Sequence, residues 1–185
     1  IQGPSGAGKT TLINLILTLI EPTEGQISVD GLNLEPNNLN WLRNIGFVSQ
    51  DVNIIDDTIE KNIAFALVDE EIDKDKLKKA IDSAHLSAFV DSLKDGIKTR
   101  VGEKGQMISG GQKQRIGIAR ALYNSPNILI LDECTSSLDL KTEKLIMDTV
   151  YNLGDNRTII IVSHRKSALD RCDKIINVSN GSVEL

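Results

Sequence analysis

The sequence contains few aromatic residues and few cysteines, and it has no hydrophobic run of membrane-spanning length. Aromatic side chains make up 3% of the 185 residues, so aliphatic side chains must fill the core. The two cysteines, Cys134 and Cys172, lack CxxC spacing and fit reduced thiols in a cytosolic domain. The longest aliphatic runs, at residues 128–131 and 159–162, suit buried strands and are too short to cross a bilayer. Any membrane-spanning part must therefore belong to another segment or chain.

The sequence also lacks an excess of basic residues. Its 21 Lys and Arg residues are outnumbered by 26 Asp and Glu residues, for a net charge of −5. Nonspecific nucleic-acid binding requires a basic patch, so we expect no nucleic-acid partner. A phosphate site is still compatible with this charge, because backbone N–H groups can hold phosphate without net positive charge.

Helix and strand patterns alternate along most of the chain, whose length suits one domain with or without a helical insert. We expect helices over residues 11–20, 39–43, 111–123 and 141–152. We expect strands over residues 26–29, 45–49, 127–131, 157–162, 175–178 and 182–185. This alternation predicts an α/β fold with a mostly parallel sheet flanked by helices.

One charged stretch, residues 69–94, interrupts the alternation and has a helical pattern. Four of its apolar residues share one face: Leu77, Ala80, Ile81 and Ala84. We therefore predict a helical insert over residues 58–110, between core segments 1–57 and 111–185. A glycine-rich loop begins after only two residues, too few for the strand that precedes such a loop, and no initiator Met is present. We expect N-terminal strands upstream.

The glycine-rich loop has the sequence GPSGAGKT at residues 3–10 and matches the phosphate-loop pattern GxxxxGK[ST]. Glycines let the backbone turn its N–H groups inward, and the following helix adds its positive end. Lys9 is expected to reach the β- and γ-phosphates, Thr10 to bind Mg²⁺, and Thr11 to contact the α-phosphate. The expected nucleotide-binding residues are Gly3, Ser5, Gly6, Ala7, Gly8, Lys9, Thr10 and Thr11. The alternative is a glycine turn that caps a helix, and the motif alone also occurs in kinases, GTPases and motors.

An apolar strand at residues 128–131 ends in two acids, Asp132 and Glu133. Charges at the end of a buried strand are costly unless they face a cation or a polar site. Asp132 fits a second contact to Mg²⁺, and Glu133 fits the group that orients or deprotonates the attacking water. The alternative is an exposed pair of acids at a strand end.

The segment ISGGQKQRIGIARAL lies between the phosphate loop and these acids. Alone, its Ser-Gly start would be a common helix N-cap. In this context the sequence strongly resembles the nucleotide-binding domain of ABC transporters, over essentially the whole chain. Residues 3–10 match Walker A, 128–133 Walker B, 109–112 the signature and 137–139 the D-loop. Gln50 matches the Q-loop glutamine and His164 the switch histidine.

The resemblance implies an ATP hydrolase with Mg²⁺ as cofactor, in which two domains pair head to tail around two ATP molecules. The signature residues Ser109, Gly110, Gly111 and Gln112, with Asp139 of the D-loop, would bind ATP at that interface. Catalysis would rest on Glu133, His164, Gln50 and Lys9, and Mg²⁺ would be held by Thr10, Gln50 and Asp132. A helix start with no anion of its own fits a partner that brings the phosphate.

Two further segments bear on the kind of ABC protein. Residues 99–105 resemble the exporter X-loop, in which Glu103 would touch the membrane domain, and residues 58–63 resemble the exporter TIxxNI segment. We therefore favour an exporter or a lipid or oligosaccharide flippase, attached to the cytoplasmic face of a membrane through a transmembrane domain outside this chain. The Gln50–Asn62 region would face that domain. The alternatives are an importer ATPase subunit, a soluble ABC ATPase of DNA repair or translation, and a nucleotide kinase.

The sequence departs from the family pattern in a few places. Ile108 replaces the usual Leu before the signature, and Cys134 and Ser137 stand where the family most often has Ala. The aromatic residue that stacks on adenine normally lies upstream of the phosphate loop. His85 matches no motif, and we expect it to be a surface or packing residue.

Overall fold

The fold alternates helices and strands over residues 1–135, 138–153 and 157–184, the part that the computed structural model describes. The helices are α1 (Lys9–Ile16), α2 (Leu39–Leu42), α3 (Ile59–Ile63), α4 (Lys74–Ser83), α5 (Ser87–Asp91), α6 (Gly110–Leu122) and α7 (Leu140–Tyr151). The strands are β1 (Ser28–Val29), β2 (Leu32–Asn33), β3 (Ile45–Val48), β4 (Ile128–Asp132), β5 (Thr158–Val162), β6 (Asn177–Ser179) and β7 (Ser182–Glu184).

The main sheet is parallel, with strand order β3-β4-β5. The first two residues of the chain extend it: the Ile1 amino group donates to the Ile161 carbonyl at 2.6 Å, and Gln2 forms a parallel bridge with Asn177 of β6. The apolar side chains of Leu129, Ile130 and Leu131 in β4 are fully buried, because helices cover both faces of this strand. The α/β fold with a mostly parallel sheet is therefore confirmed.

Two short hairpins, β1–β2 and β6–β7, are antiparallel. Asp30-Gly31 and Asn180-Gly181 form their turns, and all four residues have positive φ. Positive φ at both central residues defines the tight turn that matches strand twist, and Asp-Gly and Asn-Gly favour it.

Helix α1 ends at Ile16, so the helix predicted for residues 11–20 is too long. Thr18 adopts a left-handed φ of 54°, while the N–H of Leu19 donates to the Asn14 carbonyl and the N–H of Thr18 to the Leu15 carbonyl. This is the Schellman arrangement that ends a helix. Its unusual Thr is held because its carbonyl accepts from the N–H of Asn37.

The stretch predicted as helical over residues 69–94 consists of separate pieces: a 3₁₀ turn at Asp69–Glu71, then α4 and α5. Asp73 starts α4, where its carboxylate accepts from the N–H groups of Asp75 and Lys76. His85, with φ of 53°, separates α4 from α5. The predicted apolar face is correct, since Leu77, Ala80, Ile81 and Ala84 are all buried. The boundaries of the insert at residues 58 and 110 stay a prediction.

Two groups of buried apolar side chains hold these layers together. The larger one joins the helices of residues 59–90 through α6 to β4 and α7. The smaller one lies beneath the glycine-rich loop and is formed by Ile1, Ala7, Ile13, Leu17, Ile130, Val162 and Val178. It fixes α1 against the sheet, and so fixes the loop that precedes α1. Of the helices in the described ranges, none has the length and apolar character needed to span a membrane.

Candidate functional site

The glycine-rich loop curls around the side chain of Lys9. The Lys9 amine donates to the carbonyl oxygens of Gly3 at 2.9 Å and Pro4 at 3.0 Å, and the residue is only 9% exposed. Gly8, with φ of 104°, precedes α1 and offers no side chain to cap it. The first N–H groups of a helix have no partner within the helix, so this end is a ready anion site.

The loop lies directly on strand β6. A Cβ atom added to Gly3 would come within 2.1 Å of the Val178 carbonyl oxygen, which is well inside contact distance. The N–H of Val178 also donates to the Gln2 carbonyl at 2.8 Å. Only glycine permits this approach, so Gly3 sets where the loop leaves the sheet.

A cavity of about 330 Å³ opens in front of the loop and collects residues from distant parts of the chain. Its lining consists of Ser5, Gly6, Gly8, Lys9, Thr10, Thr11, Gln50, Asp132, Glu133 and His164. The structure thus brings together the phosphate loop, the end of β4, the segment just after β5 and the second residue after strand β3. Ala7 is buried beneath the loop, with its N–H donating to the Pro4 carbonyl at 3.2 Å.

Glu133 and His164 form a pair at the rim of this cavity. The Glu133 Oε1 and His164 Nε2 atoms are 2.8 Å apart. Glu133 has a left-handed φ of 47°, and its N–H donates to the Val162 carbonyl at 2.9 Å. This backbone conformation is costly for a non-glycine residue and typical of functional sites.

The charge balance of the cavity is negative at the end of β4. Burial raises the pKa of the Asp132 carboxyl, the negative charge of Glu133 raises it further, and Lys9 acts in the opposite direction. Next to them, burial raises the pKa of the Cys134 thiol to about 12, so this thiol stays protonated. Cys134 therefore acts as a small apolar side chain, as an Ala would.

The donor set is suited to a magnesium ion bound together with phosphate. Thr10, Gln50 and Asp132 all line the cavity and carry side-chain oxygen atoms, and oxygen is the ligand atom that Mg²⁺ prefers. Within the described residues, no group of three or more His, Cys, Asp or Glu side chains is arranged to hold a metal.

The predicted signature residues do not line this cavity. Ser109 caps α6: its hydroxyl oxygen accepts from the Gln112 N–H at 3.2 Å, and the Ser109 N–H donates to Gln112 Oε1 at 2.7 Å. Ser109 and Gly110 are exposed, and Gly111 and Gln112 are half-buried. The helix start is therefore well formed and open to solvent. It is separate from the residues that line the cavity.

The predicted D-loop residue Asp139 also lies outside the cavity. Its carboxylate caps α7 and accepts from the N–H groups of Lys141 and Thr142 and from the Thr142 hydroxyl. These hydrogen bonds lower the pKa of Asp139. Ser137 lies outside the described residues. Glu103 is exposed and begins a 3₁₀ turn, Glu103–Gly105.

Sequence reasoning missed a polar link between the segment after Gln50 and the signature helix. The Arg120 guanidinium, on α6, donates to the carbonyls of Asn62 and Asn53. The Asn62 side chain in turn accepts from the Ile55 N–H and donates to the Ile55 carbonyl. Asn62 lies within the TIxxNI match at residues 58–63, and this match is the sequence signal that could have indicated the link. His85, expected to be a surface or packing residue, contacts the Thr149 hydroxyl of α7 at 3.0 Å.

Comparison with known proteins agrees with this geometry. The family model described as ABC transporter matches residues 1–136. Two curated relatives are an ATP-dependent lipid A-core flippase of Ralstonia nicotianae, 44% identical, and one of Cupriavidus pinatubonensis, 43% identical. Each match covers 99% of this chain and 31% of the relative.

A solved structure shows the same similarity. The structure of a bacterial Atm1-family ABC exporter with ATP bound matches with a TM-score of 0.90 and 36% sequence identity. The match covers 97% of this chain and 31% of that one. The chain thus spans about a third of the length of the relatives that it matches.

Proposed function

The chain belongs to the ABC transporter family as an ATP-binding and ATP-hydrolysing domain, and we propose that it drives an exporter or a lipid flippase. The main support for its chemistry is the cavity that unites the Lys9 loop with Asp132 and the Glu133–His164 pair. The relatives named as lipid A-core flippases favour a flippase over an importer ATPase or an ABC ATPase of DNA repair or translation. They also favour an amphipathic lipid as the cargo.

In the proposed mechanism, Lys9 and the N–H groups of the phosphate loop hold the β- and γ-phosphates of ATP. The amine of Lys9 is already positioned, because two loop carbonyls fix it. Glu133 orients and deprotonates the attacking water, and His164 holds Glu133 and contacts the γ-phosphate. Gln50 contributes from the segment that follows β3. Catalysis is then mostly positioning and charge stabilisation, as expected for phosphoryl transfer.

Mg²⁺ would be held by Thr10, Gln50 and Asp132, and when bound it would neutralise charge that develops on the phosphates. Burial, and then the negative charge of Glu133, raise the pKa of Asp132, and this supports the assignment because a bound cation would stabilise the ionised carboxylate.

The proposed partner in ATP binding is a second ABC domain that pairs head to tail with this one. Ser109, Gly110, Gly111 and Gln112 form a capped, solvent-open helix start away from the cavity, where they can meet the phosphates of a partner. Asp139 would lie at the same interface. A second partner is a transmembrane domain, contacted through Gln50–Asn62 and Glu103, which would place the chain at the cytoplasmic face of a membrane.

The test uses the full-length protein with Glu133→Gln, which is expected to lower the rate of ATP hydrolysis about 100-fold or more while ATP still binds. Light scattering of the ATPase domain carrying Glu133→Gln should show an ATP-dependent shift from monomer to dimer. Ser109→Arg should abolish the shift and leave ATP affinity unchanged.

Two outcomes would contradict the proposal. Unchanged turnover in Glu133→Gln would remove the assigned base. An unchanged dimer in Ser109→Arg would show that the signature does not meet a partner's ATP.

A further inference from the structure

A buried carboxylate on α7 contacts both segments that carry the proposed catalytic pair. Glu143 is 3% exposed, in the first turn of α7. One of its oxygens forms an ion pair with the Arg165 guanidinium, and the other accepts from the Thr135 hydroxyl at 3.4 Å. Thr135 follows Glu133 by two positions, and Arg165 directly follows His164.

The surroundings show that these contacts are built into the fold. Thr135 is buried, and the N–H of Arg165 donates to the Ser163 hydroxyl at 3.0 Å. The same helix reaches the segment after His164 a second time, where the Tyr151 hydroxyl donates to the Ala168 carbonyl at 2.6 Å. Both segments are therefore tied to α7.

Burial of a carboxylate is unfavourable unless it is paired and hydrogen-bonded. An acid in the first turn of a helix also gains from the helix dipole, but an exposed acid would gain this too. The dipole alone therefore does not explain why Glu143 is buried between two loops. The contacts with Thr135 and Arg165 do, because they satisfy both oxygens.

We infer that Glu143 is a positioning residue for ATP hydrolysis, which acts through Arg165 and Thr135 to hold His164 against Glu133. Helix α7 supports both loops, so the 2.8 Å contact between Glu133 and His164 depends on the Glu143 carboxylate. The inference rests on the proposed roles of Glu133 and His164. A small shift of either loop would lower the rate of the chemical step without changing the phosphate loop that binds ATP.

The experiment measures kcat and KM for ATP in the full-length protein. Glu143→Gln, which keeps the shape and loses the charge, is expected to lower kcat about tenfold with KM changed less than about twofold. Glu143→Gln should leave ATP affinity unchanged when both proteins also carry Glu133→Gln. Arg165→Gln should lower kcat by a similar factor. The double variant should lower kcat no more than the worse single variant, because both changes break the Glu143–Arg165 ion pair.

The matched control is Asp148→Asn. Asp148 lies on the same helix and pairs with Arg171 at 3.3 Å, but this ion pair is exposed, whereas Glu143 is buried, and Arg171 lies six residues beyond Arg165. Its kcat should match that of the unchanged protein. Because Glu143→Gln could impair folding, Arg165→Lys provides a second test: it keeps the charge and should restore much of the activity lost in Arg165→Gln.

The outcomes separate this inference from the proposed function. An additive double variant, an equal loss in Asp148→Asn, or a rise in KM that matches the fall in kcat would overturn the role of Glu143. Unchanged turnover in both Glu133→Gln and His164→Ala would instead overturn the proposed catalytic pair.

Discussion

The two regions that are proposed to meet phosphate, the nucleotide cavity and the signature end of α6, are built in different ways. The cavity draws on distant segments of the chain and holds a buried lysine between loop carbonyls. The signature end is a single helix start, closed by hydrogen bonds between Ser109 and Gln112 and open to solvent. Under the proposed function, the first region supplies the phosphate loop and the catalytic residues, whereas the second meets ATP only when a partner domain brings it.

Replacing one lysine in each region should give the largest difference in ATP binding between the cavity and the signature end. Lys9→Ala is expected to weaken ATP binding about 10- to 100-fold, because it removes charge-assisted hydrogen bonds to phosphate. Lys113→Ala is the matched control: this lysine of α6 also donates to a backbone carbonyl, that of Lys104 at 2.7 Å, but lies at the signature end. Isothermal titration with ATP in the Glu133→Gln background measures both. Equal losses in the two variants would mean that the regions are not distinct.

Two aspartate caps allow a finer comparison. Asp139 caps α7 and Asp73 caps α4, and each carboxylate accepts from two backbone N–H groups. Asp139→Ala and Asp73→Ala should each lower the apparent Tm by about 2–4 °C, as expected for loss of an N-cap. Only Asp139→Ala should also weaken ATP-dependent pairing, as followed by light scattering. If Asp73→Ala weakens pairing as much, the effect belongs to stability and not to the interface.

The smallest expected effect concerns pH and belongs to the cavity alone. The raised pKa of Asp132 means that the native carboxyl keeps its proton to higher pH than the unfolded chain does. Its contribution to stability therefore falls as pH rises from its ordinary pKa through the raised value. Without nucleotide near neutral pH, Asp132→Asn should raise the apparent Tm by about 2 °C, a modest figure because solvent screens this half-buried group. Thermal unfolding at several pH values should show the difference shrink in acid, and a constant difference would contradict the stated cause.

Much of the fold followed from the sequence because its signals are local. The continuous apolar runs of β4 and β5 predicted buried parallel strands, and the helices near residues 39–43, 111–123 and 141–152 are present with small shifts at their ends. The errors came where tertiary contacts override a pattern. Helix α1 ends early because Thr18 is held in a left-handed conformation by the Asn37 segment, which is distant in sequence. The helical stretch is interrupted at His85, which has a left-handed φ, and the spacing of apolar residues does not indicate this interruption.

The sequence by itself determined which residues could bind phosphate, since the loop at residues 3–10, the acids after β4 and the start of α6 are contiguous motifs whose chemistry resides in neighbouring residues. The tertiary structure alone decided which of them meet. It placed Gln50, Glu133 and His164 at one cavity because parallel strands end at the same edge of a sheet. It left Ser109 outside the residues that line this cavity, and it buried Glu143 in contact with Thr135 and Arg165. Such contacts depend on how α7 packs against the sheet, and packing joins residues that are far apart in the chain.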